Sequence, residues 1–159
     1  MRSSYPVQRR YIIALRDIHP MRILLALLAF AGVVVSGLAL QVHYSTATQP
    51  CSINERWDCG IVNHSPFAVF HGVPVSYIGM AGYLLLGVLG FKRAYRLSLV
   101  AVLIGLGFSL YLAHIEANIL GVWCIYCVIS LGIISLMTLL ILGTVIVKLM
   151  RPPMPTTSS

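Results

Sequence analysis

At 159 residues, with 58% hydrophobic and only 9% charged side chains, the chain has too few polar groups to clothe a water-soluble domain. Its formal net charge of +7 is not a nucleic-acid footprint either, since that needs a soluble basic face which this composition does not supply. What remains is an all-α integral membrane protein whose apolar segments cross a hydrocarbon core of about 30 Å at about 1.5 Å per residue.

The first 21 residues form a basic leader in which Arg9, Arg10 and Arg16 mix with Tyr11, Ile12, Ile13 and Leu15. Such a mixture suits either a short amphipathic helix on anionic lipid or a disordered start. An apolar span follows over 23–43 and reads as an uncleaved anchor, because it lacks a small-residue cleavage site and follows a long leader. It carries Gly32, Ser36 and Gly37, small residues that let a second helix approach closely. Residues 44–73 form the longest stretch between spans and hold Cys51 and Cys59. The first half of this stretch is polar and reads as flexible loop. In its second half, Ser65 followed by Pro66 is a helix start signal, Gly72 and Pro74 close the segment, and Phe67, Val69 and Phe70 are apolar. The pattern predicts an interfacial half-helix of about two turns over 65–72, including His71, lying flat as a cap on a bundle.

Three more spans complete a four-transmembrane-helix bundle, at 74–91, 97–115 and 124–147. Gly79, Gly82, Gly87, Gly90, Gly105 and Gly107 continue the small-residue theme. Between the third and fourth spans, His114, Glu116 and Asn118 are polar residues near a helix end, read either as solvated or as proton carriers. Trp123, Tyr111, Tyr77 and Tyr44 read as an interfacial aromatic belt. The membrane domain thus covers 22–150, and the proline-rich tail 151–159 reads as disordered. Ten of the eleven basic residues fall on one side of this arrangement, with Arg56 the exception. The positive-inside rule then puts both termini in the cytoplasm and all cysteines on the opposite side, where disulfides persist.

Four cysteines in two pairs carry the chemistry. Cys124 and Cys127, in Cys124-Ile125-Tyr126-Cys127, lie one turn apart on one helix face at the start of the last span, where free backbone amides and the helix dipole favour a thiolate. A lowered thiol pKa raises the attacking fraction at neutral pH. Cys51 and Cys59 are far enough apart to close a loop disulfide. Electrons can then pass from a partner dithiol to the loop pair, to Cys124 and Cys127, and on to a quinone in the lipid, every step but the last being thiol–disulfide exchange. A C-x7-C and C-x2-C set half inside a span is poor zinc geometry. Static structural disulfides in a non-catalytic membrane scaffold are the other reading, and the resting pairing is open among three connectivities. Asp58 beside Cys59 reads either as a solvated acid or as a charge that raises that thiol's pKa and slows its attack.

Cys51, Cys59 and Ser65, the run Phe70-His71-Gly72-Val73-Pro74 into Ser76-Tyr77-Ile78-Gly79, and the Cys124-Ile125-Tyr126-Cys127 motif together resemble the vitamin K epoxide reductase family in its bacterial form. The resemblance implies a four-helix bundle around ubiquinone or menaquinone, in the bacterial inner membrane, with the loop and its half-helix as a periplasmic cover. It implies that Cys51 exchanges with the partner, Cys59 passes electrons to Cys124, and Cys127 contacts the quinone. Ser65 resembles the family's loop hydroxyl, and Phe67, Phe70 and His71 fall in the implied pocket cover. Because the chain ends after the fourth span, the implied partner is a separate periplasmic thioredoxin-like thiol oxidase. Leu131 stands where animal members have a tyrosine, and Val75 and Ser76 where they have an asparagine. These departures favour quinone reduction over vitamin K epoxide reduction.

Overall fold

The computed structural model describes residues 5–45, 51–92 and 94–150, with side chains from Met21 onward except Lys148. It is mostly helical. Helix α1 runs Tyr5–Tyr44, so the leader is helical from Tyr5 and continues unbroken into the first apolar stretch. The leader's side chains and the tail 151–159 lie outside the described residues. A short helix α2, Cys59–His64, is followed by α3, Val75–Phe91, by α4, Tyr95–Ile115, and by α5, Ile125–Met150.

Among the described residues, three helical segments are long and apolar enough to cross a membrane, namely Met21–Tyr44, Tyr95–Leu120 and Ile125–Val147. Val75–Phe91 is equally apolar but only 17 residues long. Helix α1 packs most extensively on α3 and α4 on α5, and contacts of α1 with α5 and of α3 with α4 close the ring. Small residues set the α1–α3 spacing. A Cβ on Gly32 would collide with the Tyr83 ring, and one on Gly79 would sit 3.1 Å from Ser36 Oγ. Tyr83 then reaches across the interior, where its hydroxyl meets the Ser130 carbonyl at 2.9 Å and the Ser130 hydroxyl at 2.8 Å. Around it lies a core of Leu25, Ala29, Leu86, Val102, Ile134 and Met137. At the end remote from the cysteines, Arg22 Nη2 donates to the Phe91 carbonyl at 2.8 Å and its guanidinium lies over the Phe91 ring.

The expected half-helix over 65–72 is absent, and the structure corrects that reading. Ser65 already ends α2, its N–H bonded to the Val62 carbonyl at 3.2 Å. The proline start signal yields only a 3₁₀ turn, Pro66–Ala68, a conformation that rarely extends further because its hydrogen bonds are poorly aligned. The chain then forms a hairpin of β1, Val69–Phe70, and β2, Val73–Pro74, in register Val69 with Pro74 and Phe70 with Val73. Its two-residue turn holds His71 at φ 51° and Gly72 at φ 82°, the doubly positive pattern that matches the strand twist. β-Branched and aromatic side chains at 69, 70 and 73 favour the extended form.

Candidate functional site

Cys51 and Cys59 are joined in a disulfide with their Cα atoms 5.8 Å apart, whereas Cys124 and Cys127 are free thiols. The segment between the bonded cysteines, expected to be flexible, is held by a network of hydrogen bonds. Asn54 Oδ1 accepts the Arg56 and Trp57 N–H groups at 3.0 and 3.1 Å, a side-chain mimic of a turn. Asp58 caps α2 by accepting the Ile61 N–H at 3.1 Å, and also accepts the Ser52 hydroxyl at 2.9 Å. The Ile61 N–H, with Ser52 and the Gly60 N–H assisting, holds the Asp58 carboxyl below the usual carboxylate range.

Backbone pairing then brings the two cysteine-bearing segments together. Trp123 donates its N–H to the Arg56 carbonyl at 2.8 Å, and Asp58 donates to the Trp123 carbonyl at 3.1 Å, so that Trp57 and Trp123 form a parallel bridge. Cys59 follows Asp58 and Cys124 follows Trp123, so the pairing brings both cysteines into one buried cluster. Both are 0% exposed and share one apolar cluster with Val42, Cys51, Val62 and Val122. Trp123 thus has a backbone role that an interfacial belt reading does not supply.

Asn63, in the last turn of α2, lies between the sulfur pairs. Its Nδ2 donates to the Cys59 carbonyl at 2.9 Å and to Cys124 Sγ at 3.5 Å. His43 at the end of α1 donates through Nδ1 to the Asn63 carbonyl, and its ring stacks on His64. Ser65 is buried, with its hydroxyl donating to the Val62 carbonyl at 2.7 Å. These contacts anchor α2 to α1 and hold Cys59 in place.

On the other side of Cys124, α4 continues into a π turn, Glu116–Leu120, which ends at Gly121 in the left-handed region with φ 67°. Such turns are concentrated at functional sites. Glu116, expected near a solvated helix end, is only 2% exposed. Its Oε2 accepts the Cys124 N–H at 3.0 Å, and the side chain lines the same cavity as Cys127. His114, by contrast, is exposed and hydrogen-bonded to Asn118.

Below the loop, a cavity of about 820 Å³, its open mouth included, is lined by Ser65, Phe67, Phe108, Leu112, Glu116 and Cys127 among others. It is mostly apolar, with the Cys127 thiol and the Glu116 carboxyl at one end, which suits a flat, lipid-soluble ring bearing polar oxygens. Phe70 and His71 do not line it. Phe70 lies edge-on to Phe108 with ring centroids 6.4 Å apart, and His71 is exposed at the hairpin turn.

Asn63 is a functional residue outside the cysteine motifs, and its one mark in the sequence is that it stands four residues after Cys59 and so shares its helix face. For Glu116 a signal existed, since a lone acid at the end of an apolar helix marks function by default. No curated protein matches the chain. The vitamin K epoxide reductase family matches over residues 23–142, which takes in all four cysteines, Glu116 and the cavity. A membrane-type helical chain with a loop disulfide, a thiol pair at a helix start and a shared family pattern over most of its length belongs to the vitamin K epoxide reductase family, whose members are oxidoreductases.

Proposed function

We propose that the protein is a quinone-dependent thiol–disulfide oxidoreductase that reoxidises a periplasmic thioredoxin-like oxidase and so sustains disulfide formation. In this reading the 17-residue α3 is a fourth membrane span, both termini are cytoplasmic, and the loop and cavity face the periplasmic side of a bacterial inner membrane. The basic residues Arg22, Lys92 and Arg96 at the end remote from the cysteines support that orientation.

The partner's thiolate attacks Cys51, forming a mixed disulfide and releasing Cys59 as a thiolate. The partner's second thiol resolves the link and leaves oxidised. Cys59 attacks Cys124 of an oxidised Cys124–Cys127 pair, Cys127 leaves as a thiolate, and Cys51 displaces Cys124 to restore the loop disulfide. The result is the sulfur arrangement of the structure, with Cys51–Cys59 bonded and Cys124 and Cys127 reduced. Ubiquinone or menaquinone in the cavity takes the two electrons as the membrane pair closes to a disulfide. Over the whole cycle, one dithiol and one quinone become one disulfide and one quinol.

The observation that carries this reading is the burial of Cys59 and Cys124 in one cluster while Cys127 opens on the apolar cavity. Its test is quinol formation from a reduced thioredoxin-like protein and a soluble quinone analogue by the purified protein. The Cys127→Ala variant is expected to form no quinol while still exchanging its loop disulfide with the partner. Normal turnover by that variant would refute the assignment.

A further inference from the structure

Glu116 has no task in the sulfur exchanges above, yet it is one of the most deeply buried polar side chains of the molecule. Burying a carboxyl is unfavourable unless its oxygens find partners or it is held neutral. Only one oxygen is accounted for by a hydrogen bond, with Oε2 accepting the Cys124 N–H at 3.0 Å. Oε1 is buried and has no hydrogen-bond partner among the described residues. The carboxyl borders the same cavity as Cys127. Among the residues lining the cavity, the other titratable groups are Cys127 and Tyr126 in the first turn of α5, with Cys124 just before it. The cavity lining from α1, α2 and α3 contains no acid or base, and His114 on α4 is turned outward to Asn118.

Closing Cys124 and Cys127 to a disulfide releases two electrons and two protons, and turning a quinone into a quinol consumes the same. The protons need a path from sulfur to oxygen in a site that excludes bulk water. We propose that Glu116 is that path for one of them, taking the proton of the Cys127 thiol and delivering it through Oε1 to the ring oxygen of the acceptor. The S–H bond of Cys127 breaks, the S–S bond to Cys124 forms and an O–H bond forms on the acceptor. The Cys124 thiol proton supplies the balance, and Glu116 ends the cycle in the protonation state in which it began. The inference rests on the quinone reading given above, and it makes Glu116 a catalytic residue that exchanges protons with a reacting thiol, beyond its hold on the Cys124 backbone.

Glu116→Gln separates the two roles, because the amide oxygen still accepts the Cys124 N–H while the side chain no longer exchanges protons. Pre-reduced protein is mixed with a short-chain ubiquinone analogue, and single-turnover quinol formation is followed across pH. The variant is expected to be slower by about 100-fold or more and to lose one ionisation from the pH profile. Exchange of the loop disulfide with dithiothreitol is expected to remain at the wild-type rate. A variant that matches the wild-type rate and profile overturns the proposal. Absence of quinol formation by the wild-type protein is a different result, and it overturns the quinone reading together with this one. Should the glutamine variant fail to accumulate, Glu116→Asp decides. Slowed quinol formation with a displaced ionisation supports the proposal, and an unchanged rate and profile overturn it.

Discussion

One amide group, that of Asn63, connects the loop sulfur pair to the membrane pair. Replacing it with alanine leaves the Cys59 carbonyl without its side-chain donor and Cys124 Sγ without its contact. Asn63→Ala is expected to cost about 1–2 kcal/mol of stability, from buried groups left unsatisfied. It is also expected to slow thiol transfer from the loop to Cys124, and thermal unfolding in detergent together with stopped-flow exchange reads both effects. Asp58 makes a second prediction at this scale. Its folded pKa lies below the reference value of 3.8, so its contribution is complete above that value and is lost as pH falls through the lower, folded one. Asp58→Asn keeps the cap acceptor and is expected to abolish this acid-side loosening, whereas Asp58→Ala costs about 1 kcal/mol at neutral pH. The rate at which a small thiol reduces the Cys51–Cys59 bond, followed against pH, distinguishes the three proteins. The cysteines announced themselves in the sequence because sulfur spacing is informative without any fold. Asn63 did not, because its meaning depends on a sulfur 61 residues away in the chain.

Among the elements, the α1–α3 contact is the one most sensitive to a single methyl group. Gly32→Ala would drive a Cβ into the base of the Tyr83 ring, which cannot swing aside as a long flexible side chain does. The expected cost is about 1–3 kcal/mol, with loss of the Tyr83–Ser130 hydrogen bond. Thermal unfolding of Gly32→Ala beside Tyr83→Phe tests this, the second being milder at about 1 kcal/mol. Long apolar helices were legible because about twenty apolar residues in a row leave the backbone no other way to satisfy itself in lipid. The segment 65–72 was not. In a piece that short, a start signal at Ser65 and Pro66 competes with the β preference of Val69, Phe70 and Val73 and with a turn that only His71 and Gly72 complete. The π turn at Glu116–Leu120 leaves no mark in composition either, and it is what buries Glu116 against Cys124.

Across the whole molecule, Cys59 and Cys124 share one buried cluster, so contact between their sulfurs is expected to need only local rearrangement. With Cys51 and Cys127 both changed to serine, the remaining two thiols are expected to join under mild oxidation, and mass spectrometry of the peptides would show the link. Failure to cross-link in the folded protein would contradict a relay between the pairs. The composition made a membrane protein legible and the basic residues suggested its orientation, but the cavity was foreshadowed only by the family resemblance, because its walls come from helices meeting at their cysteine-bearing ends. That cavity has α2 and the 3₁₀ turn as its roof, through Val62, Asn63, Ser65 and Phe67, and the same short helix begins with Cys59. If Cys59 changes partner as proposed, sulfur state and cavity occupancy are expected to be thermodynamically linked. Any occupant that favours one position of the roof biases where Cys59 bonds, and the bonding of Cys59 biases the occupant's affinity by the same factor.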